Sequence, residues 1–282
     1  MPAQGIGCTA EGAGACAAPV LVWRGMRSSL WARKQEGMAR VSAAIQQPAA
    51  LTVAGSDSGG NAGIQADLRA FHVFGVHGCT AIAALTAQNP WGVSGVQEVT
   101  PEFLDRQLDA ILPHYGLGAA KTGMLATAPL IETVADRFAH VPALPKVIDP
   151  VMVATSGARL LAADAVAALC VRLLPQATLI TPNLPETEVL LDRPVGGGVA
   201  AAAAAARALR ERFGCAVLVK GGHATAARAC DVLCDDAGCV VLETPVVADP
   251  LSTHGTGCSL SAAIAAALAC GCGLREAVVR GK

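Results

Sequence analysis

Ala50-Leu-Thr-Val-Ala54, Gly55-Ser-Asp-Ser-Gly-Gly-Asn-Ala-Gly63 and Ile64-Gln-Ala-Asp-Leu-Arg-Ala-Phe-His-Val-Phe74 follow one another without a gap. The first run is short and apolar, as a buried strand requires, and the second is rich in glycine and turn formers. The third places Ile64, Leu68 and Phe71 on one helical face. Strand, glycine loop and helix together form a cradle for a phosphate or another small ligand. The loop is not the dinucleotide fingerprint, because the G-x-G-x-x-G spacing is absent. Nor is it a Walker A loop, because no G-K-[ST] closes it.

Downstream the unit repeats. Cys79–Thr86 leads into Ala87-Gln88-Asn89, Gly118–Lys121 into Thr122-Gly-Met124, Lys146–Asp149 into Pro150-Val151, Ala177–Thr181 into Pro182-Asn183, and Ala216–Lys220 into Gly221-Gly-His223. Helical periods lie between them over 101–112, 129–138 and 163–174, and in an alanine-rich run ending at Arg212. This alternation predicts a mainly parallel central sheet with helices on both faces, a three-layer α/β/α fold. Asp57, Gln88, Asp149, Asn183 and Lys220 each fall at or just past the carboxyl end of a strand, the side on which open α/β sheets bind ligands. They are expected to converge on one crevice.

Near the C-terminus, Asp249-Pro-Leu-Ser-Thr-His-Gly-Thr-Gly-Cys258 runs into the helix formers Ser259–Leu268. The pattern predicts a helix N-terminus at Gly255–Cys258, where unpaired N–H groups and the helix dipole attract an anion. A thiol in that field has its thiolate favoured, which makes Cys258 a candidate proton acceptor; the other reading is a small buried hydrophobe.

Composition narrows the function classes. The chain has 282 residues, 53% of them hydrophobic, and a net charge of -1 from 21 basic and 22 acidic side chains. That supplies a sizeable core but no basic run, so nucleic acid is not an expected partner. The Ala-rich stretches are interrupted by Arg, Gly and Pro, so no membrane span is expected. The 11 cysteines are scattered, odd in number and without a C-x-x-C pair, which fits a reducing, cytoplasmic setting. Cys230, Cys234 and Cys239 fall in a hairpin-like segment and read as core residues, with no fourth ligand for a metal.

Seven motifs in order resemble one family: Val53–Leu68, Ala87-Gln88-Asn89, Lys121-Thr-Gly-Met124-Leu, Ile148-Asp-Pro-Val-Met152, Thr181-Pro-Asn-Leu-Pro-Glu186, Val219-Lys-Gly-Gly-His223 and Thr253-His-Gly-Thr-Gly-Cys258. The family is the hydroxymethylpyrimidine/phosphomethylpyrimidine kinases of thiamine biosynthesis, and the resemblance covers about residues 50–281. It implies a ribokinase-like fold, a homodimer, and ATP and Mg²⁺ as cofactors. It also implies two successive phosphorylations of 4-amino-5-hydroxymethyl-2-methylpyrimidine, first on the hydroxymethyl oxygen and then on the new phosphate. Carried over position by position, it puts Gly55, Ala62, Asp67, Gln88, Met124 and Val151 in the pyrimidine pocket. Asn183, Lys220 and Thr253 face the nucleotide phosphates, with Glu186 at the metal. Gly255, Thr256, Gly257 and Cys258 form the anion hole and supply the base, where sugar kinases of the superfamily carry Asp. The chemistry of these residue types agrees. Gln88 offers a donor and an acceptor for an aminopyrimidine, Lys220 a point charge for phosphate, and Asn183 and Glu186 oxygens for Mg²⁺.

Two features depart from the family. Asn61 stands where another Gly is usual, and Leu274–Lys282 resembles the start of a further helix without the family's usual last segment. Residues 1–48 read as a disordered extension or an upstream start, with Met38 the alternative initiator, and 49–282 as a kinase domain shortened at its C-terminus. The alternatives are a pyridoxal/pyridoxine kinase of the same superfamily and a catalytically impaired pyrimidine-binding protein.

Overall fold

The computed structural model describes residues 47–89, 91–152, 161–223, 228–246 and 254–282, and Gln46–Lys282 form one compact unit. The apolar run of the opening stretch is β1 (Ala49–Asp57), with the glycine loop after it and then α1 (Gly63–Val73). Next come β2 (His77–Asn89), β3 (Gly92–Glu98), α2 (Pro101–Asp109), β4 (Leu117–Thr122), α3 (Ala128–Ala139) and β5 (Lys146–Ile148). The chain continues through α4 (Ala163–Ala168), β6 (Leu179–Ile180), α5 (Leu184–Leu191), α6 (Val199–Phe213) and β7 (Ala216–His223). It closes with β8 (Arg228–Asp235), β9 (Gly238–Pro245), α7 (Thr256–Ala269) and α8 (Leu274–Gly281).

The strands form one nine-stranded sheet in the order β3-β2-β1-β4-β5-β6-β7-β8-β9. The six from β2 to β7 are parallel, as the alternation predicts, and the edges are antiparallel. Because side chains alternate along a strand, the central strands feed two cores. Leu51, Val53, Ile148 and Val217 pack with α2, α3, α4 and α6 on one face, while Ala50, Ala119, Val147 and Leu218 pack with α1, α7 and α8 on the other. Residues Ala262–Ala267 of α7 are all buried, and their small side chains bring that helix close to the sheet. At its far end a Cβ on Gly118 of β4 would lie 2.7 Å from the Ala269 carbonyl oxygen.

Three details differ from the sequence reading. All seven residues of β3 are exposed, so the strand lacks the period-two burial that would announce it. The helical period over 163–174 is not one regular α-helix. Past Ala168 it widens into a π-turn over Leu169–Leu173, then tightens into a 3₁₀ turn at Leu174–Gln176, which contains Pro175. Cys234 and Cys239 sit directly across the β8–β9 ladder, joined as a disulfide rather than packed as separate core thiols. Cys230 is buried and free. No described helix is long and apolar enough to cross a membrane.

Candidate active site at the strand ends

The glycine loop is organised by a carboxylate at the end of β1. Asp57 Oδ1 accepts from the Gly59 N–H at 2.8 Å, and Oδ2 accepts from the Asn61 and Ala62 N–H groups at 3.0 and 2.9 Å. Gln65, one turn into α1, accepts from the Asp57 N–H through Oε1 and donates to Ser56 Oγ through Nε2. The left-handed angles fall on Gly60 and Gly63, φ +76° and +56°, and not on Asn61, so the asparagine costs the loop no strain. Met124, just past β4, closes beneath the loop. Gly55 N–H donates to its carbonyl, and a Cβ on Gly55 would meet its Cε at 2.8 Å.

Gln88 ends β2 beside this loop. Ser58 Oγ donates to the Gln88 carbonyl and accepts from its N–H, both at 2.8 Å. Its side-chain amide reaches within 2.7 Å of Nε2 of His254, which is 3.5 Å from Asp57 Oδ2. His254, quoted above only as part of a motif, is thus a residue of the candidate site that sequence reasoning passed over.

From the other side the N-terminus of α7 meets the same loop. Gly255 has φ +87°, and a Cβ there would fall 1.8 Å from the Asn61 carbonyl oxygen, so both backbone angle and space demand glycine. Thr256 opens the helix, and a Cβ on Gly257 would lie 3.1 Å from Lys220 Nζ. Ser261, one turn on, is within 3.2 Å of Asp149 Oδ2 and 3.0 Å of the Gly257 and Cys258 carbonyls. Asp149 Oδ1 accepts from Lys220 Nζ at 2.8 Å and from Thr181 Oγ1 at 3.1 Å. One buried carboxylate therefore joins the ends of β5, β6 and β7 to the first turn of α7.

Residues 57–282 match the family description phosphomethylpyrimidine kinase. The chain belongs to this family. It is 46% identical over 236 residues to the hydroxymethylpyrimidine/phosphomethylpyrimidine kinase of Rhizobium meliloti, covering 83% of this chain and 87% of that one. Among solved structures, Bacillus subtilis pyridoxal kinase in an ADP complex superposes with TM-score 0.77 at 37% identity, covering 84% of this chain and 89% of that one. Phosphomethylpyrimidine kinase of Clostridium difficile 630 superposes with TM-score 0.74 at 33% identity, covering 84% and 96%. The fold is ribokinase-like, as the family's motifs imply.

For two of the expected residues the surroundings differ from what the motifs suggest. Asp67 has no exposed surface in the ligand-free chain: it holds the equally buried Lys121 at 2.9 Å and accepts from Thr52 Oγ1 at 2.6 Å. Nor does the helix end favour the Cys258 thiolate in the free protein. Burial pushes the thiol up; Lys121 and the Gly63 N–H oppose that, and Asp149 and Asp67 add to it. Helix-end amides stabilise a thiolate only as far as they replace lost water, and here desolvation wins.

The other expected residues divide by what already holds them. Asn183 and Glu186 form a capping box on α5, with Glu186 N–H donating to Asn183 Oδ1 at 2.8 Å and Asn183 N–H to Glu186 Oε2 at 2.9 Å. Burial pushes Glu186 up to about 7, Lys220 opposing and Asp149 adding. Burial acts to lower the Lys220 ammonium, but Asp149 and Glu186 outweigh it and hold the group above its ordinary value. Ala62 and Val151 are half-buried, on the glycine loop and just past Asp149. Thr253, Asp249 and residues 1–46 lie outside the described residues. A cavity of about 680 Å³ opens not at the strand ends but between α1 and α7, over Ala66, Ala70, Phe74 and Leu260, sharing only its rim of Asn61, His254, Gly255 and Thr256 with the site.

Proposed function

We propose that this chain transfers the γ-phosphoryl group of ATP to 4-amino-5-hydroxymethyl-2-methylpyrimidine and then to the resulting monophosphate, a step in thiamine biosynthesis. The observation that carries this reading is the position of Gln88. Its carboxamide stands at the rim of the glycine loop, beside the arm that leads into α7, where it can match the donor and acceptor of an aminopyrimidine. Gly55, Ala62, Met124 and Val151 complete that pocket. Lys220, Asn183 and Thr253 face the nucleotide, and the amides of Gly255, Thr256 and Gly257 receive the charge that develops on the transferred phosphoryl group. ATP as donor is supported by the ADP complex of the related pyridoxal kinase.

The donor set would suit a largely hydrated magnesium ion rather than a closed protein cage. Among the described residues no three His, Cys, Asp or Glu side chains converge. Glu186 is a buried carboxylate whose cost of ionising is raised further by the neighbouring Asp149, and a cation would relieve that cost. Such an ion neutralises phosphate charge. Glu186 would hold it, directly or through water.

Cys258 acts as base in the first transfer. Burial keeps its thiol neutral in the free protein, so its proton affinity in the reaction rests on Lys121 and Lys220, both of which it feels electrostatically. An alcohol must lose a proton to attack, whereas a phosphate monoester is already largely anionic near neutral pH. Cys258→Ala is therefore expected to slow the first transfer by about 10²-fold or more while changing the second far less. Single-turnover assays on both substrates check this, and an equal loss in both would make Cys258 a structural residue.

A second reading, pyridoxal kinase, is kept because the pyridoxal kinase superposition is as good as that of the pyrimidine enzyme. Parallel assays of ATP consumption with hydroxymethylpyrimidine, its monophosphate and pyridoxal separate the two, a clear preference for pyridoxal overturning the first. We assign the kinase domain to residues 49–282, supported by the compact unit from Gln46 and the family match from residue 57. A cytoplasmic homodimer completes the reading, with molar mass in solution as its check.

A further inference from the structure

We infer that His254 is a specificity-determining residue that fixes which end of the Gln88 carboxamide faces which way. This rests on the function proposed above and follows from counting protons. A side-chain amide's O and N are distinguished by their partners. At one end of the Gln88 amide stands Thr86 Oγ1, 3.3 Å away, and at the other His254 Nε2, 2.7 Å away. The Thr86 hydroxyl has a single proton, and the Ser56 carbonyl, 3.0 Å away, accepts but cannot donate. The shorter contact, to Ser56, takes that proton, and Thr86 turns a lone pair toward Gln88. The amide end facing Thr86 is then the NH₂, and the end facing His254 is the carbonyl.

The histidine completes the chain of donors. A carbonyl facing Nε2 requires that nitrogen to carry a proton, and the Asp57 carboxylate 3.5 Å away on the same side favours it. The opposite arrangement is disfavoured twice: the Thr86 proton would leave its shorter contact with Ser56 for Gln88, and a bare Nε2 lone pair would face a carboxylate. The order along the wall is thus Thr86, NH₂, carbonyl, His254 N–H, Asp57. Each end of the amide keeps one unused valence, an N–H toward Thr86 and a lone pair toward His254. A heterocycle with an amino group beside a ring nitrogen satisfies both in one orientation, with its amino group at the His254 end. A hydroxypyridine without that pairing does not.

The test uses the full chain. His254→Phe is expected to raise KM for hydroxymethylpyrimidine about tenfold, the share of one hydrogen bond, with a much smaller fall in kcat. KM for pyridoxal should move less than twofold, and His254→Gln, which restores a donor, should recover most of the difference. A fall in kcat at unchanged KM, or equal shifts for both substrates, would overturn the assignment. Independently, ¹⁵N side-chain NMR of the unliganded wild-type protein should show His254 Nε2 protonated, and an unprotonated Nε2 overturns it as well. Should wild-type protein fail to phosphorylate the pyrimidine at all, the proposed function falls, while the NMR result still decides the role of His254.

Discussion

Cys258 shows how a residue can be found from sequence and its chemistry still misjudged. Its place at a helix N-terminus is written in Gly255-Thr-Gly-Cys258 and the helix formers that follow. Its charge state depends on Lys121, Asp149, Asp67 and the Gly63 N–H, which arrive from distant parts of the chain. The net effect is upward, so at any pH below its raised value less thiolate is present than for an ordinary thiol at 9.0. Alkylation of Cys258 by iodoacetamide, followed by mass spectrometry in the ligand-free protein, is expected to rise with pH through a midpoint above that value. A midpoint near neutrality would restore the simple helix-end picture. Asp67, expected by motif in the pocket, is likewise held by groups that arrive from elsewhere in the chain, Lys121 and Thr52.

At the scale of elements, the opening of α5 joins a helix cap to a proposed ligand contact in one motif. Pro182-Asn-Leu-Pro-Glu186 is a capping box whose Asn183 and Glu186 satisfy backbone N–H groups, and the same two residues are proposed to face nucleotide and metal. Asn183→Ala is expected to cost about 1 kcal/mol of stability through the lost cap, and Asn183→Asp very little because aspartate also caps. Thermal unfolding reads that difference. If Asn183→Asp keeps the melting temperature yet weakens ATP binding, the nucleotide role is separate from the cap; if it changes neither, Asn183 is only a cap. The capping box is legible in the sequence as a polar N-cap with Glu three positions on, but its burial beside Lys220 and Asp149 is not. Likewise the glycines of the α7 turn are legible as a turn, while the contact of Gly255 with Asn61 is visible only once both loops are folded.

For the whole molecule, packing rather than chemistry sets the remaining constraints. The alanine face of α7 lies so close to the sheet that Gly118 has no room for a side chain, although nothing in its local sequence marks it as special. Gly118→Ala is expected to destabilise the protein by roughly 1–3 kcal/mol, lowering the melting temperature by several degrees, with KM for the substrates little changed. A variant as stable as wild type would mean that α7 shifts outward without cost. The sequence by itself determined the alternation of strands and helices, the sites of the turns and the order of the family's motifs. Those depend on side-chain period and backbone freedom, which act over a few residues. The tertiary structure alone decided the exposed edge strand β3, the Cys234–Cys239 pairing, the burial of Asp67 with Lys121, the upward shift of Cys258 and the contact between Gln88 and His254. The last three are set by distance and desolvation among groups remote in the chain, and neither exists until the sheet has brought them together, whereas β3 and the disulfide, whose cysteines are five residues apart, depend on strand pairing across short turns.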